Sequence, residues 1–147
     1  MLINKWYKTF SEKDTFILGK QLACHLKAGD TISLEGDLGT GKTVITKGIA
    51  AGLGVNEPVT SPSFTIVNTY EGRIKLHHFD VYRIDDPEEL YAIGWDEYFS
   101  DDAVTVVEWG DKVLDIMPAD TIRIKIMRDE RNPERRIINI ERPDKKW

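Results

Sequence analysis

Lys42 and Thr43 close the stretch Gly36-Asp37-Leu38-Gly39-Thr40-Gly41-Lys42-Thr43, which fills every specified position of the phosphate-loop pattern G-x-x-x-x-G-K-[ST]. Chance supplies such a match in roughly a few per thousand chains of this length. The chemistry this pattern serves is anion binding. Backbone N–H groups of the loop and of the first helical turn point inward at phosphates, helped by the helix dipole. The glycines allow close approach of backbone to ligand. Lys42 has the reach for β- and γ-phosphates, and the Thr43 hydroxyl can ligate Mg²⁺. ATP with Mg²⁺ is therefore the expected ligand, lined by Asp37, Gly39, Thr40, Gly41, Lys42, Thr43 and Val44. Turnover also needs acids. Asp80 follows Leu76-His77-His78-Phe79, and Glu108 follows Val104-Thr105-Val106-Val107, so each ends an apolar run. One carboxylate can hold the metal while the other orients or deprotonates the attacking water. The plain alternative for each is a helix cap or a surface acid.

Such groups work only if strands and helices bring them together. Asp30 to Glu35 reads as a strand entering the loop, and Val44, Ile45, Ile49 and Ala50 recur at helical spacing after it. Trp6 and Tyr7 lie in an expected first strand over residues 1–9. Ser11 reads as the N-cap of a helix with Phe16, Leu18, Leu22, Ala23 and Leu26 inward, ended by Ala28-Gly29-Asp30. Cys24, on that helix, reads as a small buried side chain. Phe64 to Tyr70 reads as a strong strand, and Glu71-Gly72 turns it into a hairpin with residues 73–80. Asp86-Pro87 starts a helix, with Asp as cap. Ala103 to Val107 is continuous apolar sequence, the mark of a strand buried on both faces. Residues 121–126 and 136–141 alternate about a turn-like linker, 128–134. The expected fold is one α/β domain over 1–147, a P-loop NTPase-like mixed sheet flanked by helices with an antiparallel C-terminal hairpin. In an open α/β sheet the ligand sits at the carboxyl ends of the strands, where Asp80 and Glu108 emerge.

The chain has 147 residues, a net charge of −5 and a single cysteine, which excludes an internal disulfide framework and a cysteine metal site. No apolar run approaches the roughly 18 residues of a membrane span, and residues 1–6 lack a signal-peptide core, so a cytoplasmic protein without membrane contact is expected. The charge is uneven. Residues 80–120 hold thirteen Asp or Glu against Arg83 and Lys112, a charge of −11. This is either a solvated face or a surface for a basic partner. Arg83 has a route to the site, or pairs instead with the acids of 85–89.

These motifs together resemble the TsaE (YjeE) family, bacterial ATPases needed for threonylcarbamoyladenosine formation at position 37 of tRNA. The residues that carry the likeness are the loop 36–43, Ser61-Pro62-Ser63-Phe64-Thr65, His78-Phe79-Asp80-Val81-Tyr82-Arg83, Asp86-Pro87-Glu88-Glu89-Leu90 and Val107-Glu108-Trp109. The resemblance implies catalytic roles for Lys42, Asp80 and Glu108, with Thr43 and Glu108 meeting Mg²⁺. It implies a nucleotide contact from Ser63, where the family usually has Thr, and a functional role for Trp109, whose alternative is core packing. It points the adenine end at Ser11 and Thr15. The partners it implies are TsaD and TsaB, with tRNA met only through their complex. Two other readings stay open: a small-molecule kinase on the same loop, and a non-hydrolysing nucleotide-dependent interaction module. A kinase usually needs an Arg-bearing lid, and residues 48–120 offer only Arg73, Lys75, Arg83 and Lys112.

Overall fold

A computed structural model describes residues 4–100 and 102–143; residues 1–3 of the expected first strand, Asp101 of the acidic segment and residues 144–147 lie outside it. Its strands are β1 (Lys5–Thr9), β2 (Thr31–Glu35), β3 (Val67–Tyr70), β4 (Lys75–Asp80), β5 (Ala103–Glu108), β6 (Ile122–Asp129) and β7 (Asn132–Glu141). Its helices are α1 (Glu12–Ala23), α2 (Lys42–Gly52) and the single turn α3 (Glu88–Tyr91), with 3₁₀ turns at Trp95–Tyr98 and Gly110–Ile116. The strands form one mixed sheet of order β1-β7-β6-β2-β5-β4-β3. The centre is parallel (β6, β2, β5, β4), and the β1–β7, β7–β6 and β3–β4 pairs are antiparallel. This is the expected mixed α/β sheet with its C-terminal hairpin. Among the described residues no helix is long and apolar enough to cross a membrane.

Period two along the strands decides what each face carries. Leu34, Leu76, Val104 and Val106 face α1 and α2 and join Leu22, Ile45 and Ile49 in the larger core. Phe79 and Val107 face the other way and pack with Trp95, Leu90 and Val113. By the same parity His78 and Asp80 share the face of Leu76, and Glu108 that of Val106. All three therefore come up beside the start of α2. The two helices approach closely because a Cβ on Gly48 would run into the Phe16 carbonyl of α1.

Local chemistry explains the ends. The Ser11 hydroxyl accepts from the Asp14 N–H at 3.1 Å, and Asp14 Oδ2 accepts from the Phe10 N–H at 3.0 Å. Asp86 Oδ1 accepts from the Glu88 N–H at 3.0 Å, but the residue capping α3 is Pro87, one later than expected. Three other expectations change. The stretch 64–66 is not strand: Ile66 takes φ 72°, a strained value for a β-branched residue, and Phe64 is 85% exposed. Cys24 is exposed, because α1 ends at Ala23 and Cys24 falls outside its inward face. The C-terminal linker shrinks to residues 130–131, since β6 and β7 pair as far as Asp129 and Asn132.

Trp95 is fully buried, lies edge-on to Phe79 with centroids 4.9 Å apart, and donates its Nε1–H to the Ile116 carbonyl at 3.0 Å. It pins the acidic segment to the sheet. Trp95→Ala should lower unfolding free energy by about 3–5 kcal/mol in urea titration; a loss below about 1 kcal/mol would show that the segment packs independently of it.

Candidate functional site

The loop between β2 and α2 begins where Glu35, itself buried, is gripped by Arg123 Nε and Nη2, each at 2.8 Å. From there the chain rises through Gly36 to Gly41, which takes φ 110° as the residue capping α2. Lys42 is buried rather than turned out to solvent. Its Nζ turns back on the loop and donates to the Gly36 and Asp37 carbonyls at 2.6 and 2.8 Å. It also lies 4.0 Å over the Trp109 ring, an aromatic face that attracts a cation. Burial pushes its ammonium below the ordinary 10.5, opposed by the negative charge of Glu108, then Asp80, Asp111 and Asp37.

Glu108 ends β5 at 3% exposure. The Thr43 hydroxyl donates to its Oε1 at 3.1 Å, with Oε2 at 3.3 Å, and His78 Nε2 stands 2.5 Å from Oε2. His78 is fully buried, and its Nδ1 has no partner among the described residues. The proton therefore belongs on Nε2, which donates to the carboxylate; Nδ1 is left as a bare acceptor rather than as a stranded donor. Asp80, level with Glu108 across the parallel pair β4–β5, is more open. Its Oδ2 accepts from Ser61 Oγ at 3.0 Å, its Oδ1 accepts from the Tyr82 N–H at 3.0 Å, and Ser61 Oγ lies 3.0 Å from Ser63 Oγ. Immediately after Glu108 the backbone of Trp109 turns left-handed, φ 65°, which swings the indole over Lys42. Positive φ at Ile66 and Trp109 thus flanks the two carboxylates, and such strain concentrates at functional sites.

Lys42, Thr43, Ser63, Asp80, Glu108 and Trp109 line one hollow of about 470 Å³. A second, of about 300 Å³, shares Gly39, Gly41 and Val44 with it and is lined by Ser11, Thr15, Thr40, Pro133 and Arg136. The two hydroxyls near α1 are already engaged, Ser11 as cap and Thr15 with Thr9 Oγ1 at 2.7 Å. Asp37 gives the loop its carbonyl; its exposed side chain borders a different hollow, with Trp109 and Asp111. Arg83 lies over the Phe64 ring at 4.7 Å and borders the larger hollow. Thr43 and Glu108 form an all-oxygen pair, with Asp80 lining the same hollow, which suits Mg²⁺ held by a carboxylate, a hydroxyl, waters and phosphates. Three contributors were not among the expected site residues. His78 was within reach, since it sits two residues before Asp80 on one strand and must share its face. Arg128 and Arg136, which donate to loop carbonyls, had no sequence signal because the fold alone brings the hairpin to the loop.

The chain has known relatives. The family model "Threonylcarbamoyl adenosine biosynthesis protein TsaE" matches residues 9–137. The chain is 44% identical to the tRNA threonylcarbamoyladenosine biosynthesis protein TsaE of Bacillus subtilis, over 86% of this chain and 81% of that protein. It is 40% identical to the protein of the same name from Treponema pallidum, over 79% and 86%. Its fold superposes on the crystal structure of Bacillus subtilis YdiB with a TM-score of 0.79 and 36% identity, over 92% of this chain and 83% of that one.

Removing the imidazole donor leaves a buried carboxylate short of a partner. His78→Leu should cost about 1.5–3 kcal/mol in urea unfolding. His78→Gln, which keeps an N–H donor, should restore more than half of that. Equal losses in both variants would assign His78 to packing alone.

Proposed function

The chain belongs to the TsaE family, and from that premise we propose a cytoplasmic ATPase that serves threonylcarbamoyladenosine formation at position 37 of tRNA by acting on the TsaD–TsaB pair. The observation that carries this reading is the convergence of Thr43 and Glu108, at 3.1 Å, at the head of a complete phosphate loop. Mg²⁺, bound with the nucleotide, would screen phosphate charge and draw on Thr43 and Glu108 as ligands. The chain's own residues do the rest. Lys42 exchanges the Gly36 and Asp37 carbonyls for phosphate oxygens, trading neutral acceptors for charged ones. Asp80, open to solvent and steadied by Ser61, orients the attacking water. His78 holds the Glu108 carboxylate in one orientation. Trp109 covers Lys42 from the far side. The base end lies in the smaller hollow, beside Ser11 and Thr15.

Among the described residues the larger hollow offers no arginine other than Arg83 for the developing charge. The Arg83 guanidinium rests on Phe64. An arginine supplied by a partner can add roughly 10³–10⁵ in rate. The surface suits such a partner: Asp85, Glu88, Asp96 and Glu97 are exposed in the segment that follows Asp80. A basic face would be steered there, and less so as salt rises and the screening length falls to about 8–10 Å.

The test is ATP hydrolysis by the full chain, alone and with TsaD–TsaB. Slow turnover alone and a stimulation on the order of 10³ are expected. Reversal of Asp85, Glu88 and Asp96 to Lys should weaken the stimulation at low salt and leave ATP affinity within twofold. No hydrolysis in any mixture would overturn the ATPase reading, and stimulation untouched by the reversals would move the partner to another face.

A further inference from the structure

The phosphate loop has its carbonyls fully committed. Gly36 and Asp37 are taken by Lys42, and Gly41 accepts from the Ile45 N–H at 3.0 Å as the first bond of α2. Those between are held from outside the loop. Arg128 Nη2, at the end of β6, donates to the Leu38 carbonyl at 3.0 Å. Arg136, on β7, donates from Nε to the Thr40 carbonyl at 2.7 Å and from Nη2 to the Gly39 carbonyl at 3.4 Å. Its Nη1 is anchored on the Pro133 carbonyl and on its own strand at the Arg135 carbonyl, so the fork is oriented before it meets the loop.

A trans peptide is planar, and its C=O points opposite to the N–H of the next residue. Pulling the Leu38 and Thr40 carbonyls toward the hairpin therefore turns the N–H groups of Gly39 and Gly41 the other way, toward the hollow they line. Those N–H groups are the ones an anion needs. The approach depends on glycine, since a Cβ at Gly39 would collide with the Arg128 guanidinium. One further feature points to the loop as the purpose of both arginines. Arg128 and Arg136 face each other across the β6–β7 ladder. Like charges directly opposite are unfavourable in a sheet. The nearby carboxylate, Asp129, pairs with Arg135 instead, at 3.3 Å. A locally unfavourable rung with its charges spent on loop carbonyls marks a functional site.

We propose that Arg128 and Arg136 are positioning residues for nucleotide binding: the C-terminal hairpin holds the phosphate loop with its amides aimed inward, so the anion cradle is formed before the ligand arrives. A loop free to flip its peptides would lose that aim and pay the ordering entropy on binding. The proposal rests on the nucleotide-binding reading above for its ligand, though its geometry does not.

The test uses the full chain in two arms. In the nucleotide-free protein, ¹H–¹⁵N amide resonances of Gly39 and Gly41 should shift in Arg128→Gln and Arg136→Gln and stay in place in Arg131→Gln, an exposed residue of the same hairpin turn. In ATP titrations on protein matched for folded fraction, Arg136→Gln should weaken affinity by about tenfold or more and Arg128→Gln by less. Arg136→Lys, which keeps the charge but not the fork, should stay weakened; Arg131→Gln should remain within twofold of the parent. Unmoved glycine resonances, or affinities within twofold in every variant, would overturn the proposal. Full recovery in Arg136→Lys would replace it with simple charge attraction. A parent chain that binds no ATP would refute the functional reading, and the amide arm would still decide the brace.

Discussion

A buried carboxylate is costly unless something answers its charge, and Glu108 places one beside the start of α2. The effective penalty for desolvating such an ion is several kcal/mol. The fold answers with the His78 N–H at 2.5 Å, the Thr43 hydroxyl at 3.1 Å, and the Lys42 ammonium in the same hollow. On the function proposed above, a divalent cation shared by Glu108 and a phosphate would add to these and link the acid on β5 to the loop before α2. Much of the surrounding structure follows. β5 must be central so that its end is sheltered, and the chain must turn sharply after Glu108, which Trp109 does at φ 65°.

The sheet distributes work by parity. One face of β4 and β5 delivers His78, Asp80 and Glu108 to the start of α2; the other delivers Phe79 and Val107 to the packing under Trp95. The acidic segment is thereby anchored by its aromatic residues while its carboxylates remain outside. The site residue Asp80 and the exposed acids that follow it are consecutive in the chain. The hairpin arginines and Lys42 take different carbonyls of the loop, so it is held by cations of both the helix and the sheet.

The parts legible in the sequence were those whose signal is local. The glycine loop, the capping Ser11, the apolar run of β5 and the acid that ends it all announce themselves within a few residues. Phe64 to Ile66 was misread because a β-rich composition there is overruled by the turn at Ile66, which carries Ser61 and Ser63 to Asp80. The partners of Lys42 were not legible either: a buried ammonium needs acceptors, and it takes the carbonyls of Gly36 and Asp37. Arg128 and Arg136 were illegible, since their partners lie some 90 residues earlier in the chain and no spacing rule connects a hairpin to a phosphate loop.

On the proposed function Glu108 serves a divalent cation shared with the nucleotide, whereas Asp80 serves the reaction. Calorimetric titration of ATP, with Mg²⁺ and with the metal chelated, tests it most directly in the parent chain, Glu108→Gln and Asp80→Asn. Mg²⁺ should tighten ATP binding in the parent and in Asp80→Asn, and Glu108→Gln should lose about tenfold or more of that gain, as the loss of a charged partner worth about 1.5–3 kcal/mol requires. A Glu108→Gln chain that keeps the whole Mg²⁺ effect, with the effect lost in Asp80→Asn, would contradict it.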